Sequence, residues 1–73
     1  MSMYVCEFQR VSDCTYFGRS THPDRDAAET HAVTELTRLG VEPQDALETA
    51  AAAGYVCTDA RSGGYGVRIF EDS

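Results

Sequence analysis

Two short amphipathic segments in the middle of the chain constrain the fold more than any other feature. The apolar positions of the first follow helical spacing and are Ala28, Ala32, Leu36 and Leu39. Thr21 and Asp24 have the spacing of a capping box before this segment, and Gly40 follows it as a left-handed cap. The second segment runs from Pro43, a residue tolerated at the first helical position, to a second glycine cap at Gly54. Its stripe is either Ala46 or Leu47, followed by Ala50 and Ala51. We therefore predict two adjacent helices whose small side chains permit close packing.

Residues typical of strands lie on both sides of these helices. Between Met3 and Val11, the side chains of Tyr4, Cys6 and Phe8 alternate with those that point the other way, as in a half-buried strand. The other β-rich segments are Cys14 to Arg19, Tyr55 to Ala60, and Tyr65 to Phe70 with Tyr65, Val67 and Ile69 on one face. The predicted order is β-β-α-α-β-β. This order favours an α+β two-layer domain, a four-stranded antiparallel sheet with both helices on one face.

The length of the chain limits what it can be. Its 73 residues form one domain, residues 1–73, with a thin core and a net stability of only a few kcal/mol. A hydrophobic fraction of 42% and a charged fraction of 25% are typical of a folded domain. An exposed edge strand offers a site for self-pairing. We expect a monomer or a weak dimer.

The sequence has no sign of export or of membrane insertion. No apolar run approaches the ~20 residues that a helix needs to cross a bilayer, and no basic region precedes an apolar stretch at the N-terminus. Three cysteines are an odd number for a disulfide framework. We expect reduced thiols, a cytoplasmic location in the host cell and no membrane contact.

The charge of the chain is strongly unbalanced. Twelve acidic residues face six basic ones, all arginine, which gives a net charge of −6 and a pI near 4.6. A surface of this sign repels nucleic-acid backbones and anionic membranes and attracts basic proteins. We therefore expect no direct nucleic-acid binding. A halophilic or GC-rich source produces the same bias, so an acidic housekeeping domain stays open as an alternative.

The residues that most often carry catalysis or metals lack the necessary spacing. Structural zinc sites use closely spaced ligand pairs, whereas Cys6, Cys14 and Cys57 lie at least eight residues apart. No local pattern joins a cysteine to His22 or His31 as a nucleophile and its base. The glycine-rich stretch 62–66 leads into a strand, not into a helix that would hold a phosphate. We predict no enzyme, no catalytic residue, no cofactor and no metal.

A small winged-helix DNA-binding regulator is the main structural alternative. Two helices followed by a β-hairpin have its outline, and the second helix would enter the DNA. That helix, residues 42–50, contains Glu42, Asp45 and Glu48 and no basic side chain. Since arginine and lysine contacts to phosphate supply much of the affinity for DNA, this composition disfavours the alternative without removing it.

Acidic residues are concentrated in the helical part of the chain. From Pro23 to Gly54, seven acids stand against two arginines, a net of −5. If their side chains share the outer faces of both helices, they form one negative patch suited to a basic partner. Charges on outer helix faces are also commonly just solvated. The predicted partner-binding residues are Asp24, Asp26, Glu29, Glu35, Glu42, Asp45 and Glu48.

Size, acidity and the acid-rich segment from Asp24 to Glu48 together resemble the small anti-CRISPR inhibitors of phages and mobile elements. The resemblance is one of overall profile and includes no shared motif. It implies a non-catalytic inhibitor that presents a DNA-like acidic surface to a basic nucleic-acid-binding protein, with a CRISPR effector subunit as one candidate partner.

Overall fold

The computed structural model describes residues 3–55 and 64–72, which form a three-stranded sheet and two helices. The elements are β1 (Met3–Arg10), β2 (Thr15–His22), α1 (Arg25–Arg38), α2 (Pro43–Ala52) and β3 (Tyr65–Asp72). β1 lies at the centre of the sheet, and both of its neighbours pair with it antiparallel. α1 contacts all three strands, whereas α2 contacts α1 and β3. The described part of the chain contains no helix of the length and apolarity that a membrane span requires.

The predicted four-stranded fold is wrong, because the described residues form three strands in the order β-β-α-α-β. Of the strand expected from Tyr55 to Ala60, only Tyr55 is described, and it lies in a bend; residues 56–60 are outside the described ranges. The chain meets the edge of β3 just before this bend, where the Gly54 carbonyl accepts a hydrogen bond of 2.9 Å from the Ile69 amide. The centres of the Tyr55 and Phe70 rings are 5.2 Å apart, and the rings are tilted relative to each other.

The predicted alternation of side chains along β1 is confirmed, but the strand is not half-buried, because Val5 and Glu7 on the other face are buried as well. Cys6 and Phe8 of β1 are buried in the same core cluster as their cross-strand partners Ile69 and Val67 of β3. The intervening Glu7 faces the other side of the sheet, since successive side chains of a strand alternate. The helices therefore cover one face of the sheet and leave the other for a different set of contacts.

The start of α1 differs from the predicted capping box. Thr21 lies within β2, and Asp24 is the N-cap residue, whose carboxylate accepts a hydrogen bond of 2.8 Å from the Ala27 amide. An acidic side chain at this position both satisfies a free amide and complements the helix dipole. Asp24 therefore has a structural role.

The end of α1 confirms the predicted glycine cap. Gly40 has a φ of 101°, and its amide donates to the Thr37 carbonyl. The Val41 amide donates to the Leu36 carbonyl, and both side chains are buried in the core. This pair of hydrogen bonds with its apolar contact is a Schellman motif. It fixes the turn that leads from α1 to α2.

α2 begins at Pro43 as predicted and buries Ala46, Thr49 and Ala50. Of the predicted stripe, Ala46 and Ala50 are buried, whereas Leu47 is 53% exposed and Ala51 is also exposed. Gly54 is not a left-handed cap, because Ala53, the C-cap residue of α2, has extended backbone and Gly54 has no positive φ.

Candidate interaction surface

The carboxylates of α1 do not share one face of the helix. Ala28, Ala32 and Leu36 are buried and fix the side of the helix that faces the sheet. At about 100° of rotation per residue, Glu29 and Glu35 lie on opposite flanks of this buried stripe. Glu29 lines a groove between α1 and α2, and Glu35 lines a separate cavity beside β2. The predicted single patch is therefore divided at α1.

Both of these glutamates have arginine partners on the same helix. Arg25 Nε donates to Glu29 Oε2 at 2.7 Å, and Arg38 Nε donates to Glu35 Oε2 at 3.0 Å. Arg25 also donates to the Ala53 carbonyl, which ties the start of α1 to the end of α2. Pairs with this spacing are typical of stabilised helix surfaces. Glu29 and Glu35 consequently add little net negative charge to the surface.

Three other predicted carboxylates belong to a different group. Asp26 lies in the first turn of α1, Glu42 is the N-cap residue of α2 and Asp45 lies in its first turn. Within residues 3–55 and 64–72, no arginine forms an ion pair with any of the three. Glu42 makes no side-chain hydrogen bond as a cap. Asp26 and Glu42 are exposed to solvent, and Asp45 is half-buried.

The remaining predicted residue, Glu48, is exposed on the outer side of α2. By contrast, the outer side of α1 carries threonines: Thr30, Thr34 and Thr37 are all exposed. Thr34 Oγ1 donates to the Thr30 carbonyl at 3.0 Å. The outward ridge of α1 is thus polar and uncharged, whereas α2 carries Glu48 on its outer side.

A groove of about 660 Å³ runs between the two helices on their outer side. Its apolar part consists of Val33, Leu47, Ala50 and Ala51, and its polar rim consists of Asp26, Glu29, Thr30 and Thr34. The sequence did not reveal this groove, because the adjacent residues Ala46 and Leu47 fit the apolar stripe of α2 equally well. Only the position of the sheet decides which of the two is buried.

A second cavity of about 280 Å³ lies between α1 and β2 and includes Ser20 and His31 in its lining. Ser20 Oγ lies 2.8 Å from His22 Nε2, and the rings of His22 and His31 are 4.8 Å apart. Burial, and secondarily the neighbouring His31, lower the pKa of His22. The described residues contain no group of three side chains able to hold a metal ion. We interpret this cluster as part of the seam between α1 and β2.

The described cysteines differ sharply in environment. Burial, and secondarily the charge of Glu35, raise the pKa of the Cys6 thiol to about 12. Cys6 is therefore protonated at neutral pH and is a poor nucleophile. Cys14 is exposed, in the turn between β1 and β2, with a φ of 60°. Cys57 lies outside the described residues.

The face of the sheet away from the helices carries a compact cluster of charged and aromatic side chains. Glu7 is buried at its centre and accepts a hydrogen bond of 2.8 Å from Arg68 Nε, with Arg19 Nη1 3.9 Å away. The Arg68 guanidinium lies 5.0 Å from the Tyr16 ring centre and 5.2 Å from that of Phe70. These contacts combine ion pairing with cation–π stacking. The buried charge of Glu7 is satisfied within this cluster.

Comparison of the chain with protein-family models, with curated proteins and with solved structures finds no match.

Proposed function

We propose that this protein is a non-catalytic binding module whose helical layer engages a basic, nucleic-acid-binding protein. One observation carries the proposal: Asp26, Glu42 and Asp45 have no arginine partner in residues 3–55 and 64–72, whereas Glu7 on the opposite face is fully paired. The carboxylates on the two faces of this small domain thus differ in whether they have an arginine partner. Acidic charge that no described arginine neutralises is therefore available on the helical side.

Such a surface acts by competition. Carboxylates accept charge-assisted hydrogen bonds from arginine and lysine, the same side chains that a nucleic-acid-binding protein uses for phosphate. Occupation of those side chains by Asp26, Glu42 and Asp45 excludes the nucleic acid. Complementary charge also accelerates encounter between the two proteins. Binding is therefore expected to weaken as salt is raised.

A pair of matched double variants tests this site. The probe is a fluorescently labelled nona-arginine peptide, titrated with the protein in about 50 mM salt to limit screening. Glu42→Gln/Asp45→Asn removes two charges from the helical layer, and Glu71→Gln/Asp72→Asn removes two exposed charges from the end of β3. We expect the first variant to weaken binding by about tenfold, roughly 1.4 kcal/mol, and the second by about twofold. Equal losses would show that net charge alone binds the peptide.

A subunit of a CRISPR interference complex is one partner of this kind, proposed from the sequence profile alone. Expression of the protein in a host with an active CRISPR system is expected to restore uptake of a targeted plasmid. The Glu42→Gln/Asp45→Asn variant should restore it less well. Unchanged plasmid interference in the presence of the folded protein would remove this class of partner and leave other basic proteins as candidates.

A further inference from the structure

The groove between α1 and α2 combines an apolar floor with an acidic end. Leu47 is 53% exposed, more than Leu39 at 36%, although both are leucines of the helical layer. Val33 is half-buried against the core and lies in the same groove. Asp26 lies at the rim of the groove. A partner that bound through charge alone would not need an exposed leucine beside small side chains. Leu47 therefore indicates an apolar contact as well.

The charge of the surrounding surface restricts what can occupy this groove. The segment from Pro23 to Gly54 carries a net charge of −5, so two copies of the helical layer repel each other when their grooves meet. A nucleic-acid backbone is repelled for the same reason. A polypeptide segment with apolar side chains and basic residues complements both parts of the groove.

We propose that the groove binds a short amphipathic helix of the basic partner, with its apolar stripe on Val33 and Leu47 and an arginine or lysine at Asp26. This inference rests on the proposed function and specifies how that surface recognises its partner. A helix is the fitting form because an amphipathic helix can place its apolar face in a hydrophobic groove of its partner. Ala50 and Ala51 permit close approach of such a helix.

The dimensions of the groove set the length of the bound segment. Its lining on α1 extends from Asp26 to Thr34, which at 1.5 Å per residue is about 12 Å. This length accommodates about two turns of a partner helix, with apolar residues at positions i and i+4 on the floor. The basic residue should contact Asp26, because the neighbouring Glu29 already pairs with Arg25.

Two labelled peptides of equal composition provide the test. One, of about 14 residues, places leucines on one face of a helix and arginines on the other; the second has the same residues in an order that abolishes the apolar face. We expect the amphipathic peptide to bind at least tenfold more tightly than the scrambled one at about 300 mM salt, where exposed ion pairs are screened. Equal affinity for the two peptides would overturn the groove proposal.

Leucine variants locate the binding site on the protein. Leu47→Ser is expected to weaken binding of the amphipathic peptide by about tenfold. The matched control Leu39→Ser, an exposed leucine outside the groove, should change it by less than about twofold. Ala51→Gln places a larger side chain in the groove and should also weaken binding, and circular dichroism of each variant establishes that it is folded. If both groove variants, Leu47→Ser and Ala51→Gln, bind as the parent does, the groove is not the site.

The outcomes distinguish this inference from the proposed function. Binding of both peptides with equal affinity, lost in high salt and sensitive to Glu42→Gln/Asp45→Asn, would refute the groove and support the acidic surface. No binding of either peptide in low salt would refute both. Concentration-dependent self-association that Leu47→Ser abolishes would identify a second copy as the occupant and overturn the proposal.

Discussion

The two faces of the described domain use acidic side chains in opposite ways. On the open face of the sheet, Glu7 is buried and paired with Arg68, whose guanidinium stacks on Tyr16 and Phe70. On the helical layer, Asp26 and its counterparts at the start of α2 have no arginine partner among the described residues. This contrast shows that the net negative charge of a chain does not by itself define a binding surface. What matters is which carboxylates the fold has already neutralised.

The difference has an energetic cause. A buried carboxylate loses its hydration and is tolerated only with a close cation, so Glu7 requires Arg68. An exposed carboxylate keeps its water and needs no partner, so Asp26 can remain unpaired at little cost to stability. The first arrangement contributes to folding, and the second is available for binding.

The largest expected contrast is between the two described cysteines. With a pKa of about 12, only roughly one Cys6 thiol in 10,000 is ionised at pH 8, and the side chain is also shielded between sheet and helices. Cys14 should react with iodoacetamide at a rate typical of an exposed thiol. Peptide mapping by mass spectrometry after timed alkylation measures both rates. Comparable labelling of Cys6 and Cys14 in the native protein would mean that the core beneath the helices is open.

Two leucine substitutions in the helical layer should have very different effects on the free energy of unfolding. Leu36 is fully buried, so Leu36→Ala should lower the free energy of unfolding by about 3 kcal/mol. Leu47 is more than half exposed, so Leu47→Ala should lower it by less than about 0.5 kcal/mol. Urea denaturation followed by circular dichroism measures both. A large loss for Leu47→Ala would show that this residue belongs to the core and would weaken the case for the groove.

Substitution of the buried glutamate Glu7 should lower the free energy of unfolding more than substitution of the partly exposed Glu29, measured in the same urea denaturation. Glu7→Gln leaves Arg68 without its buried counter-charge and should destabilise the fold by about 2 kcal/mol. Glu29→Gln disrupts a partly exposed pair with Arg25 and should cost about 0.5 kcal/mol. High salt should reduce the effect at Glu29 more than that at Glu7. Similar losses at both positions would abolish the distinction between the two faces.

The smallest effect concerns the seam between α1 and β2. The pKa of His22 is lowered in the folded protein by burial and by His31, so the unfolded chain binds a proton there more readily. Stability is therefore expected to fall as the pH decreases below the unfolded value of about 6.5 and through the lower folded value. His22→Gln should flatten this dependence in thermal unfolding between about pH 7 and pH 5. An unchanged pH profile in the variant would assign the dependence to other groups.

The sequence by itself determined the local elements of the fold. The alternation of Cys6 and Phe8 assigned the buried face of β1, and Gly40 identified the end of α1, because side-chain period and the left-handed backbone are properties of a few consecutive residues. The concentration of acidic residues between Pro23 and Gly54 was also visible from the sequence. These features require no knowledge of distant contacts.

Tertiary structure alone decided which of the described residues form strands and which charges are paired. Tyr55 has the β-propensity of a strand residue yet lies in a bend with its ring against Phe70, and the partners Glu7 and Arg68 are separated by 61 positions in the chain. The exposure of Leu47 likewise depends on where the sheet lies relative to α2. Burial and ion pairing are set by neighbours in space, and the pattern of a single segment does not contain them.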